Sequence, residues 1–203
     1  MKNRKRILIL TLAVLMTAAA ALSDTVSATV KTAGGAKAYT LKLNKTYRKY
    51  DITGDGTADK ILVKADVNSE GYISTMSVRV NGKNCLTKTY YEGPDVNNSV
   101  LRAYPQVVLF RLKNKKPFLY IHFSTYNGYY AGGWVYRYKS KKLQQIVATS
   151  TLIQKYMAAN PNTWRAYEIL SKVSGNQVWF TIGSTSTDTS KTYKLKYKSG
   201  KLK

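Results

Sequence analysis

Between Tyr50 and Ile61 the chain reads YDITGDGTADKI, three aspartates at four-residue spacing with two glycines among them. Counted from Asp51, side-chain oxygens fall at positions 1, 3, 5 and 9, on Asp51, Thr53, Asp55 and Asp59, and the main-chain carbonyl of Thr57 falls at position 7. An all-oxygen set in that alternation suits a hard divalent cation, calcium (Ca2+) first among them. Gly54 and Gly56 let the backbone bend tightly enough to aim the donors inward. Without a counter-charge, carboxylates so close are expected to repel one another and lose ionisation. The plainer alternative is an Asp/Gly turn joining two strands, its charges in water.

The rest of the chain makes the clustering informative. Its 203 residues hold 33 Lys and Arg against 10 Asp and Glu, a formal charge of +23. Lys2, Arg4, Lys5 and Arg6 precede an uncharged run from Ile7 to Leu22, and Val26-Ser27-Ala28 offers small residues for a peptidase. Residues 1–28 therefore read as a secretory signal peptide, with Ser23 as the alternative cut. A membrane anchor would need about 20 apolar residues, more than this run supplies, so the mature chain is expected to carry no transmembrane span and to be extracellular. Removing the four bases and Asp24 leaves 29 basic residues against 9 acidic, +20, and four of those nine acids lie between 51 and 66. Cys85 is the only cysteine, so no intrachain disulfide forms, and it reads as a small apolar strand residue.

The mature chain reads as strands. Runs at 60–66, 72–80, 106–112, 118–124, 134–139, 178–184 and 191–198 are rich in Val, Ile, Thr and aromatics and bounded by turn residues. In KTYKLKYK, Tyr193, Leu195 and Tyr197 alternate with lysines, as a half-buried strand requires. Only 151–159 has helical spacing, with Leu152, Ile153, Tyr156 and Met157 on one side, Ser150 as cap and Pro161 as stop. The expected architecture is all-β: antiparallel meanders forming a partial propeller-like stack or a β-sandwich, with one short helix. Residues 29–38 read as a flexible lead-in to a single domain over 39–203. Strand pairs starting at 60, 118 and 178 suggest three degenerate repeats, although any meander shows strand, turn and strand at some interval.

An EF-hand would continue to an acidic ligand at position 12 and a helix; here position 12 is Leu62, and KILVKADV reads as a strand. Asp51-Ile-Thr-Gly-Asp-Gly-Thr-Ala-Asp59 instead resembles the calcium loop of FG-GAP and VCBS-type β-repeats of secreted bacterial proteins, D-x-[DN]-x-D-G-x-x-D before a strand. The resemblance implies that Asp51, Thr53, Asp55, Thr57 and Asp59 contact calcium, with Thr53 in place of the usual Asp or Asn weakening the site. It covers about a dozen residues.

Lysines recur on outward strand positions, as in LKLNKTYRK and KTYKLKYKSGKLK, and a charge of this size predicts long-range attraction to polyanions. For a secreted bacterial chain the partner would be an anionic cell-wall polymer or polysaccharide. Nucleic acid is the less favoured partner, since it calls for an aromatic and basic groove on one face. In the glycine-rich loop 125–134, Tyr126, Tyr129 and Tyr130 are candidates for ligand contact, while Trp134, Tyr136 and Tyr138 read as core. The reading is nonenzymatic. The competing one, a small extracellular hydrolase, would need Glu92 or Glu168 to meet a second carboxylate or the only histidine, His122.

Overall fold

The computed structural model describes residues 29–67, 73–89, 104–124, 130–163, 166–184 and 186–203. The signal-peptide segment lies outside them. Two short strands open the described chain, β1 (Lys31–Ala33) and β2 (Lys37–Leu41). Three meanders of four consecutive strands follow. The first holds β3 (Thr46–Tyr50), β4 (Asp59–Val67), β5 (Ile73–Val80) and β6 (Lys83–Thr89). The second holds β7 (Tyr104–Arg111), β8 (Phe118–Ser124), β9 (Tyr130–Lys139) and β10 (Lys142–Ala148), and the third β11 (Ala166–Ser174), β12 (Gln177–Ser184), β13 (Thr189–Lys198) and β14 (Lys201–Leu202). Helix α1 (Ser150–Ala159) joins the second meander to the third.

The N-terminal strands explain why 29–38 is not the flexible lead-in expected from its composition. A meander leaves an open row of main-chain donors and acceptors along its outer strand. β1 covers β11 in parallel register, Lys31 opposite Lys172, and β2 covers β7 in antiparallel register, Leu41 opposite Val107. Val30 and Ala36 are buried as a result.

The three sheets form layers with the second in the middle. On β8, Phe118 and Tyr120 enter one core with Leu170, Val178 and Phe180 of the third sheet; Leu119 and Ile121 enter another with Ile61, Val63, Met76 and Val78 of the first. A strand buried on both faces has no need of polar alternation, and so the run FLYIHF is nearly continuous in apolar residues. Phe110 and Phe118 stack at 5.2 Å between centroids, a geometry adding about 1 kcal/mol beyond area burial.

The last hairpin of each meander turns on two residues with positive φ: Asn81-Gly82, Ser140-Lys141 and Ser199-Gly200. This is the type I′ geometry that matches strand twist, and the three turns sit 59 residues apart. The hairpins starting near 60, 118 and 178 are the second and third strands of each meander.

Helix α1 departs from its expected details. Its N-cap is Thr149 rather than Ser150, and no side chain caps it; the Thr149 hydroxyl donates to the Gly133 carbonyl at 3.0 Å instead. Leu152, Ile153 and Tyr156 are buried as expected, but Met157 is 38% exposed, because the helix rests on one narrow stripe. The Tyr156 hydroxyl, donating to the Thr189 carbonyl at 2.8 Å, ties that stripe to β13.

Candidate functional site

The aspartate loop is the first hairpin connection of the first meander, between β3 and β4. Asp59, 2% exposed, is its anchor. Its Oδ2 accepts the N–H groups of Ile52 at 2.8 Å and Thr53 at 3.0 Å, and its Oδ1 accepts Asn81 Nδ2 at 2.7 Å. Asn81 in turn accepts the Lys60 N–H on its own Oδ1 at 2.8 Å, so the β5–β6 turn clamps the root of the loop. Asp51 curls over the bend: its Oδ1 accepts the Gly54 N–H and its Oδ2 the Gly56 N–H, the latter at 3.0 Å. Both glycines have positive φ, 74° and 95°. A Cβ at Gly54 would also sit 3.0 Å from Lys116 Cγ, because the β7–β8 connection packs its lysine stem on the loop.

Asp55 is fully exposed and takes the Thr57 hydroxyl at 2.6 Å and the Thr57 N–H at 2.8 Å on Oδ1. Those two bonds, the hydroxyl first, hold its carboxyl below the usual range. At Asp55 the expected loss of ionisation without a cation does not hold: the N–H and O–H of Thr57 already stabilise its charged form. Thr53 lies beside Asp51, its Oγ1 donating to Asp51 Oδ1 at 3.3 Å. The donor set is all hard oxygen, as calcium requires, yet the carboxylates are aimed at N–H groups. Among the described residues no three Asp, Glu, His or Cys side chains converge on one metal position.

A second polar group lies between the second and third sheets. Glu168 of β11 is 1% exposed, and Tyr120 Oη donates to its Oε1 at 2.6 Å. Burial pushes this carboxyl up to about 7, only partly opposed by the hydroxyls of Tyr120 and Thr149. His122 shares the inner face of β8 with Tyr120, their ring planes 12° apart, and burial pushes its imidazole down to about 4. Gly133, paired with His122, makes the space: a Cβ there would stand 2.5 Å from Thr149 Oγ1 and 2.7 Å from Glu168 Oε1. Glu168 and His122 thus reach the same interior layer. Each is 1% exposed, inside the packing rather than at a surface where substrate arrives. Glu92 lies outside the described residues.

The aromatic candidates divide. Tyr126 and Tyr129 lie outside the described residues, and Tyr130 begins β9 opposite Ser124. Tyr136 is buried, and Trp134 and Tyr138 pack on the same core, as core residues should. Cys85 is buried on β6, its thiol pushed up by burial, which leaves it unreactive.

The outer face of the third sheet concentrates charge. The register places Lys31, Lys172, Trp179 and Lys194 in one row across β1, β11, β12 and β13. Lys172 Nζ lies 5.0 Å from the centre of the Trp179 ring. Lys196 and Lys198 continue the exposed face of β13 while Tyr193, Leu195 and Tyr197 turn inward. Among the described residues the only salt bridge is Lys64–Asp66, on the opposite layer. Like charges placed side by side across a sheet oppose its pairing, and among the described residues no acid forms a salt bridge with them.

No family model, no curated protein and no solved structure matches this chain. Its site residues therefore rest on their own geometry. Sequence reasoning missed Asn81, whose role depends on a contact 22 positions away, although the Asn-Gly turn that fixes it was readable. Gly133 was legible only as part of a glycine-rich loop. Among the described residues no helix is long and apolar enough to cross a membrane.

Proposed function

We propose that the protein is a secreted, nonenzymatic binding module of the bacterial envelope whose lysine-rich surface holds anionic wall polymers or polysaccharides. The observation that carries the reading is the Lys31–Lys172–Trp179–Lys194 row, a solvent-facing strip of positive charge without acidic partners among the described residues. A sheet face spreads its charges along two directions, which suits a polymer with repeating anionic groups. The Trp179 ring adds a flat apolar surface for a sugar ring at the centre of the strip. Binding isotherms on a long polyuronate and on a neutral dextran test this: tight, salt-sensitive binding to the first alone supports it, and equal binding to both rejects it.

We propose further that Asp51, Thr53, Asp55, Thr57 and Asp59 hold calcium in the extracellular medium, in the manner of the FG-GAP and VCBS-type loops they resemble. The clustering of acids in a basic chain and the positive-φ glycines that curl Asp51 over the bend favour this reading. The ion would be structural, pinning the β3–β4 hairpin at an end of the stack. Its test is thermal melting with calcium and with chelator.

A further inference from the structure

A cleft of about 130 Å3 opens where the edge strand of the second sheet, β2, meets the edge strand of the first, β3. Tyr39 and Tyr50 form its aromatic wall, their rings stacked at 4.5 Å and 29°. Lys37, Lys49 and Arg111 line it, together with Asp51 and Pro117. Arg111 Nε donates to the Lys115 carbonyl at 2.9 Å, which holds the guanidinium in place and leaves its terminal nitrogens to serve another acceptor. Lys49 Nζ stands 5.1 Å from the centre of the Tyr50 ring.

We infer that this cleft is a subsite for one carboxylated sugar residue, a hexuronate unit of an acidic polysaccharide. Three features select that chemistry. The cations at the cleft supply charge-assisted bonds to a carboxylate, the arginine in its forked geometry. The Tyr39 ring, 37% exposed, offers a flat apolar face for the C–H side of a pyranose. The sugar hydroxyls, which both donate and accept, meet both kinds of partner, because edge strands expose main-chain N–H and carbonyl groups.

A single-stranded nucleic acid fits less well. Successive bases need successive stacking platforms. The neighbouring ring, Tyr47, is tilted toward Tyr50 at 5.7 Å, and its hydroxyl is committed to the Lys42 N–H at 2.7 Å.

This inference rests on the polyanion reading and gives it a discrete contact. The test is calorimetric titration of the full mature chain with a galacturonate trisaccharide, the neutral galactose trisaccharide and a thymidine oligonucleotide of matched length. The trisaccharide acid is expected to bind at least tenfold more tightly than its neutral counterpart, and Tyr39→Ala and Arg111→Gln are each expected to weaken it about tenfold. Lys155→Gln, exposed on helix α1 against the third sheet and remote from the cleft, is expected to leave trisaccharide binding unchanged. Oligonucleotide binding as tight as that of the acid sugar, or no effect of either cleft substitution, overturns the inference. If the trisaccharide does not bind while long polyuronate does, the cleft assignment falls and the polyanion reading stands; if neither binds, both fall. Circular dichroism of Tyr39→Ala identifies any loss that comes from misfolding, in which case Arg111→Gln decides.

Discussion

Glu168→Gln should change how stability depends on pH, in a direction fixed by two buried groups with opposite demands. Glu168 is near 4.5 in an unfolded chain and about 7 in the fold. Its contribution is complete below pH 4.5 and is lost as pH rises through 7, because the fold must then hold a buried carboxylate. His122 is near 6.5 unfolded and about 4 folded. Its contribution is complete above pH 6.5 and is lost as pH falls through 4. Each gap amounts to about 3 kcal/mol, from 1.36 kcal/mol per pH unit between the two pKa values. Between roughly pH 4.5 and 6.5 the two slopes cancel, so these groups leave stability nearly flat there. Glutamine keeps an acceptor for the Tyr120 hydroxyl and removes the titration. Urea unfolding of parent and variant at half-unit steps from pH 4 to 8 should show the variant gaining about 3 kcal/mol on the parent between pH 4.5 and 7, with the His122 slope exposed. The difference between the two curves cancels the self-repulsion of a highly basic chain. Parallel curves would refute the assignment of a buried neutral acid at Glu168.

Gly133→Ala should cost about 1–3 kcal/mol in chemical denaturation, since its Cβ meets Thr149 and Glu168 inside the packing. Asp59→Ala removes the acceptor of two main-chain N–H groups and of Asn81, and should cost about 3 kcal/mol. In a double-mutant cycle with Asn81→Ala the two losses should overlap by about 1 kcal/mol. Millimolar calcium should raise the melting temperature by about 3–6 °C over chelator, the effect of roughly 1–2 kcal/mol on a domain this size. Asp55→Asn should reduce that increment.

The parts of the fold legible in the sequence are those where one physical demand dominates. FLYIHFS was readable to the residue, because a strand buried on both faces leaves an apolar run between turn signals. The lysine alternation of β13 was readable because one face is wet. β11 was missed: Glu168 occupies a core position, and the register shift between Leu170 and Lys172 breaks the alternation. β1 and most of β2 were missed as strands because edge strands are mostly exposed, and their residues carry little apolar pattern, whereas the lysine alternation of LKLNKTYRK already marked the start of β3. The loop residues were legible as oxygen donors, but which N–H group each oxygen accepts depends on the folded bend. The basic row was not legible at all, since Lys31 and Lys172 are brought side by side only by a parallel pairing between distant segments.

We propose that the outer face of the third sheet binds polyanions through lysines that no acid pairs among the described residues. The slope of log affinity against log salt for a long polyuronate counts the cations engaged. Comparing parent with Lys31→Gln/Lys172→Gln/Lys194→Gln should give a steep negative slope for the parent and a clearly shallower one, with weaker binding at low salt, for the triple variant. Equal slopes and equal affinities would place the binding charges elsewhere and contradict the account.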